Sequence, residues 1–149
     1  MFIAKNGDLI ILAKETREEL NQALQLMVYT SIEETDVNYQ LYGSEYLTPE
    51  QVAQRERQRL DSLILTPADV ERALYKAENM DFEDLKVYIH KELPDLDIKA
   101  LAIEFRAKDF YRGAEANGIR LFDVVGQLLG YTTADMDYLF EHKELPSHE

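Results

Sequence analysis

Three histidines, four serines and several carboxylate clusters are the side chains of this chain that could do chemistry, and their spacing argues against most of it. His90, His142 and His148 fit neither the His-Glu-x-x-His nor the His-x-x-Glu-His zinc pattern. Ser31, Ser44, Ser62 and Ser147 lack the Gly-x-Ser-x-Gly elbow that exposes a nucleophile beside an oxyanion site. The six glycines are dispersed and none precedes Lys-Ser or Lys-Thr, so there is no phosphate-cradling loop. The acidic clusters Glu33-Glu34-Thr35-Asp36, Asp81-Phe82-Glu83-Asp84 and Asp95-Leu96-Asp97 could each touch a hard cation. None has the alternating oxygen ligands, central Gly and later Glu of a calcium loop, and caps and solvated turns account for them better. With 29 acidic residues, no general acid–base pair can be singled out without geometry. The absence of cysteine excludes disulfides and thiolate metal sites. The expectation is a protein without catalytic, cofactor-binding or metal-binding residues, and not an enzyme.

The elements that would carry these side chains are marked by turn and cap signals. Phe2-Ile3-Ala4 and Leu9-Ile10-Ile11-Leu12 flank Asn6-Gly7, a strong hairpin signal. Thr16 with Glu19 has capping-box spacing and opens a helix through about Met27, with Leu20, Ala23, Leu24 and Met27 on one face. Residues 28–32 are rich in β-branched and aromatic side chains and predict a strand; residues 33–36 form a polar break. Val37, Tyr39 and Leu41 alternate with polar neighbours, and Gly43-Ser44 turns the chain into a second hairpin ending at Leu47.

Leu47-Thr48-Pro49 and Leu65-Thr66-Pro67 each read as a helix start, the Thr as cap and the Pro in the first turn. From Thr48 the pattern is helical almost to the end. One helix runs to about Leu60 or Leu63 and the next from Pro67 to a stop at Asn79. Asp81 caps a third, which ends at Leu93-Pro94. A fourth begins near Asp95–Asp97, carries Ile98, Leu101, Ala102 and Phe105, and is expected to end near Gly113 or Gly118. Leu121, Phe122, Val125, Leu128 and Leu129 form an apolar stripe stopped by Gly130, and a last helix buries Met136, Leu139 and Phe140. The expected fold class is α+β: a β-hairpin-rich head with one helix over residues 1–47, a mainly helical body of about five helices over residues 48–145, and a frayed tail at 146–149.

Charge narrows the partners. The net charge is −13, with −5 on residues 1–47 and −8 on residues 48–149. Phosphate backbones are repelled on average, so no direct nucleic-acid binding is expected. Arg55, Arg57 and Arg59 are interleaved with Glu50, Glu56 and Asp61 and read as a solvated helix face. The Leu129-Gly130-Tyr131-Thr132 turn has helix-turn-helix punctuation, but the second helix would present Asp135, Asp137 and Glu141 to DNA, so a packing hairpin is expected. No apolar run reaches the roughly 20 residues of a membrane helix, and the start lacks a secretory signal pattern.

Taken in order, several segments resemble one family. They are Tyr29-Thr30-Ser31-Ile32-Glu33-Glu34-Thr35-Asp36 with Tyr39-Gln40-Leu41-Tyr42, Glu45-Tyr46-Leu47-Thr48-Pro49-Glu50, Leu65-Thr66-Pro67-Ala68-Asp69-Val70-Glu71-Arg72, Phe110-Tyr111-Arg112-Gly113, and Leu129-Gly130-Tyr131-Thr132 with Met136 and Phe140. Over most of residues 29–141 the chain is similar to a family of small acidic proteins of unknown function from phages and prophages of Firmicutes and related bacteria, encoded near tail or late structural genes. Residues 114–119 look inserted relative to that pattern.

The resemblance implies a non-enzymatic tail-associated or virion-assembly accessory factor. Its partners would be phage structural or assembly proteins, or a host protein, met in the cytoplasm of the bacterial host or in the virion. Tyr29, Tyr39, Tyr42 and Tyr46 concentrate aromatic surface in the head and are the candidate interaction residues, although packing of the hairpin would use the same side chains. The alternative reading is an acidic inhibitor that mimics nucleic acid against a host defence or nucleic-acid enzyme. A hydrolase or metal-dependent enzyme is the least supported.

Overall fold

The computed structural model describes residues 1–97, 109–116 and 118–148. Antiparallel strands at the N-terminus are followed by a mainly helical region, an α+β fold with six helices among the described residues. The chain divides into two compact units, Met1–Arg57 and Gln58–Glu149. The boundary falls inside a helix, thirteen residues long, that buries none of its side chains.

In the first unit, β1 (Phe2–Asn6), β2 (Leu9–Lys14) and β3 (Ser31–Glu34) form an antiparallel sheet in the order β2-β1-β3. Asn6 pairs with Leu9, so the two-residue turn is Gly7-Asp8, with Gly7 at φ +65°, where a side chain would be strained. A register shift after Ala4 marks a bulge. One sheet face packs α1 (Arg17–Ala23): Ala4, Leu20 and Leu24 are buried, with Phe2, Ile11, Leu12 and Ile32 around them. The Thr16 side chain accepts from the Glu19 N–H at 3.2 Å, the cap the spacing predicts. The helix stops sooner than its apolar spacing suggests. Leu20 and Leu24 are buried, whereas Ala23 and Met27 are exposed, because a tight turn closed by the Met27 N–H on the Leu24 carbonyl follows the helix.

The third strand is also shifted, to 31–34 instead of 28–32. Thr30 explains this. Its N–H and hydroxyl both donate to the Lys5 carbonyl, at 2.6 and 3.2 Å, while its hydroxyl oxygen accepts from the Gly7 N–H at 2.9 Å. Glu33 and Glu34 therefore enter the ladder, opposite Ile3 and Phe2, and Lys5 pairs with Glu33 at 3.0 Å. A second hairpin, β4 (Gln40–Tyr42) and β5 (Glu45–Leu47), turns at Gly43, φ +63°. The helix α2 (Pro49–Asp61) opens on a reciprocal capping box. The Thr48 N–H donates to Gln51 Oε1 at 2.9 Å, and the Gln51 N–H to Thr48 Oγ1 at 3.2 Å.

The second unit is less purely helical than its pattern predicts. Between helices lie two short ladders, β6 (Ile64–Leu65) with β7 (Phe110–Tyr111), and β8 (Glu115–Ala116) with β9 (Ile119–Arg120). A helix continuing to Gly113 or Gly118 is therefore excluded: Phe110 and Tyr111 pair across a ladder with Leu65 and Ile64, and Glu115 and Ala116 pair with Arg120 and Ile119. Ile98, Leu101, Ala102 and Phe105 lie outside the described residues.

The helices α3 (Pro67–Glu78), α4 (Phe82–Glu92), α5 (Leu121–Leu128) and α6 (Thr133–His142) build one core. Thr66 and Asp81 cap as their positions suggest, Asn79 ends α3 at φ 56°, and of the two threonines that could open the last helix, Thr132 is the cap and Thr133 the first helical residue. Phe82, Phe110, Phe122 and Phe140 form a chain of edge-to-face contacts with successive centroids 6.4, 5.4 and 4.9 Å apart. A Cβ on Gly126 would stand 2.7 Å from Met136 Cγ, so glycine permits the close approach of α5 to α6. Among the described residues no helix is long and apolar enough to cross a membrane.

Candidate interaction site

The four candidate tyrosines occupy three different settings within the first unit. Tyr29 is exposed in the connection between α1 and β3. Tyr42 is half-buried, and its hydroxyl donates to Glu56 Oε2 at 3.2 Å, which ties β4 to α2. Tyr39 and Tyr46 are brought together. Tyr46 stands opposite Leu41 in the β4–β5 ladder, two positions from Tyr39, so extended backbone places both on one side. The Tyr39 N–H donates to Met1 Sδ at 3.2 Å, which fixes the start of the hairpin. Both tyrosines line a cavity of about 300 Å³ together with Asp8, Leu9, Ile10 and Glu45.

The first unit also carries an apolar surface that periodicity alone does not reveal. Leu26, Met27, Val28 and Tyr29 are consecutive and exposed, Leu26 to 99% and Val28 to 78%. A run of four large apolar residues in water is unfavourable for an isolated fold. In the sequence the run reads as a helix end at Met27 and a strand start at Val28, with Tyr29 a candidate interaction residue.

The chemically dense part of the second unit is an ion-pair network around a buried arginine; the sequence marks Arg112 within a resemblance segment and reads Asp61 and Asp137 as surface acids, but nothing in it brings them together. Arg112, from the Phe-Tyr-Arg-Gly segment, has no exposed surface. Its Nε donates to Asp137 Oδ1 at 2.8 Å, and its Nη2 to Asp123 Oδ1 at 2.7 Å and to the Thr133 carbonyl at 3.2 Å. Nη1 has no hydrogen-bond partner among the described residues. Arg120 continues the chain, with Nε to Asp123 Oδ2 at 2.7 Å and a two-point contact to Asp61 at 3.0 and 2.8 Å. Burial pushes the Asp123 carboxyl up, but hydrogen bonds from Arg120 and Arg112 outweigh it and hold it below the usual carboxylate range. The hydrogen bonds to Asp61 and Asp123 raise Arg120 further above its already high value. The network joins the end of α2, the segment after β7, β9, α5 and α6. Its polar atoms face one another, which is the geometry of a structural tie.

The histidines and acidic clusters also find local roles. His90 is exposed on α4. The His142 ring lies 4.3 Å from that of Tyr138. The tail that the sequence marks as frayed makes contacts up to His148: its ring stacks on Tyr131 at 4.2 Å, and its Nε2 lies 2.6 Å from Glu78 Oε1. The Tyr131 hydroxyl donates to the same oxygen at 2.6 Å; burial, then Glu78, push that phenol well above its usual value. Asp81 and Asp84 form a capping box, as do Thr132 and Asp135, and Asp137 is bound to Arg112. Arg55 pairs with Glu45 at 3.1 Å and Arg59 with Glu141 at 3.4 Å. Among the described residues no group of three or more His, Asp or Glu side chains is arranged to hold a metal ion.

The fold and site thus define an α+β protein of two compact units, with an aromatic and apolar surface on the first and a buried ionic tie in the second. No family model, curated protein or solved structure matches the chain.

Proposed function

We propose that this chain is a non-enzymatic phage or prophage protein, a tail-associated or virion-assembly accessory factor that works by protein–protein contacts through its N-terminal unit. One observation carries the contact surface: residues 26–29 expose four consecutive large apolar side chains, ending at Tyr29. Exposed apolar patches on a folded protein are characteristic of binding surfaces, and tyrosine is favoured in them. The assignment to phage assembly is supported by the resemblance of residues 29–141 alone. On this reading the site of action is the bacterial cytoplasm during assembly, or the virion.

The test is photo-crosslinking in phage-producing cells. A benzoylphenylalanine is placed at position 28, with a control at the exposed Val87 on α4. Adducts with a tail or assembly protein at position 28, absent at 87, are the expected result. Capture of a host nuclease or defence enzyme instead would transfer support to the acidic-inhibitor alternative. Identical adducts at both positions would remove the contact surface. Mass spectrometry of purified virions then separates a particle component from an assembly factor.

A further inference from the structure

We propose that the cavity between Tyr39 and Tyr46 is a recognition pocket for an arginine side chain of the partner protein. The inference rests on the protein-contact reading above and gives that contact its chemistry. The pocket, about 300 Å³, has aromatic, aliphatic and acidic walls: Tyr39 and Tyr46, Leu9 and Ile10, Asp8 and Glu45. Aromatic faces attract cations, and a planar guanidinium also stacks on them. Aliphatic walls accept the methylene stem of a long cationic side chain.

The electrostatics select the sign of the guest. Glu45 is already paired with Arg55 at 3.1 Å. Asp8 has no ion-pair partner among the described residues, and it sits on a turn whose backbone is held by the Gly7–Thr30 hydrogen bond. Its carboxylate thus stands in the cavity lining without an ion pair, with the Lys5 ammonium near enough to feel its charge. The wall formed by Thr48 and Gln51 is occupied with its own capping box and leaves the charge contact to Asp8. An anionic guest would meet two carboxylates, and a purely apolar one would desolvate them without compensation. The field of the unit acts in the same direction, since residues 1–57 carry ten acidic and five basic residues.

The test uses the full chain labelled with ¹⁵N and three probes: acetyl-Gly-Arg-Gly-amide, the same peptide with neutral citrulline, and agmatine. The arginine peptide is expected to shift the amides of residues 8–10, 39 and 45–47, with a dissociation constant on the order of millimolar for one side chain. Citrulline is expected to bind about two- to fivefold more weakly, and Tyr46→Leu to weaken the arginine peptide by a similar factor. Asp8→Asn, which keeps a turn-forming residue, is expected to weaken it about two- to fivefold. Equal binding of the citrulline peptide, or no localised shifts, overturns the proposal. Agmatine binding more than about tenfold tighter than the peptide overturns the partner side chain in favour of a small amine. Crosslinking from position 28 that survives Asp8→Asn and Tyr46→Leu overturns this pocket and leaves the protein-contact reading standing. Loss of specific crosslinking with peptide binding intact does the reverse.

Discussion

At the residue scale, Arg112 has the most at stake. Removing Arg112 takes from Asp123 and Asp137, both mostly buried, the guanidinium that joins them, and losing one member of a buried ionic cluster costs far more than the pair contributed. Arg112→Ala should therefore destabilise the second unit by about 3–5 kcal/mol in urea unfolding followed by near-UV signals. Arg112→Lys should rescue little, because an ammonium cannot reproduce the planar fork that reaches Asp123 and Asp137 together. Asp123 adds a pH dependence. Its folded pKa is held below the unfolded value of about 3.9, so its contribution is fully present above about pH 4 and is lost as pH falls through the folded pKa. Asp123→Asn should lower stability at neutral pH and flatten the loss as pH falls below about 4, read from urea midpoints at successively lower pH.

At the element scale, local caps and close approaches decide where segments begin and meet. The Asp69 N–H donates to Thr66 Oγ1 at 3.1 Å at the start of α3. Thr66→Ala should cost about 0.5–2 kcal/mol, and an unchanged melting temperature would show that this cap contributes nothing. Gly113 matters for a different reason. Its N–H donates to the Asp61 carbonyl at 3.1 Å, and a Cβ there would stand 2.9 Å from Asp61 Cβ. Asp61 is itself clamped by Arg120 and cannot swing aside. Gly113→Ala should cost about 1–3 kcal/mol by denaturant unfolding, with Arg120 losing its two-point contact.

At the scale of the whole molecule, charge is the governing term. A net charge of −13 on 149 residues repels itself in the compact state. Raising ionic strength from about 0.01 to 0.15 M shortens the screening length from about 30 to 8 Å. The melting temperature should rise over that range in differential scanning fluorimetry. The penalty of Arg112→Ala should stay nearly constant, since buried charges are screened much less than exposed ones. The same acidity suits a basic partner and bears on the arginine pocket. Many carboxylates are nonetheless spent locally: Asp61, Asp123 and Asp137 in the ionic tie, and Asp81, Asp84 and Asp135 in caps.

The local signals in the chain determined the α+β class, the first hairpin, the capped starts at Thr16, Thr48, Thr66 and Asp81, and the stop at Asn79, because each depends on residues a few positions apart. Tertiary structure decided what distant segments do to one another. It moved β3 to Ser31 through the Thr30 contacts, and it drew Phe110 and Tyr111 into a ladder with Ile64 and Leu65. It buried Arg112 between Asp123 and Asp137 and gathered Asp8, Tyr39 and Tyr46 around one pocket. Periodicity records which residues share a face of their own element. It does not record what covers that face, and that is why Ala23 and Met27, which share a helical face with Leu20 and Leu24 in the sequence, stand in water in the fold.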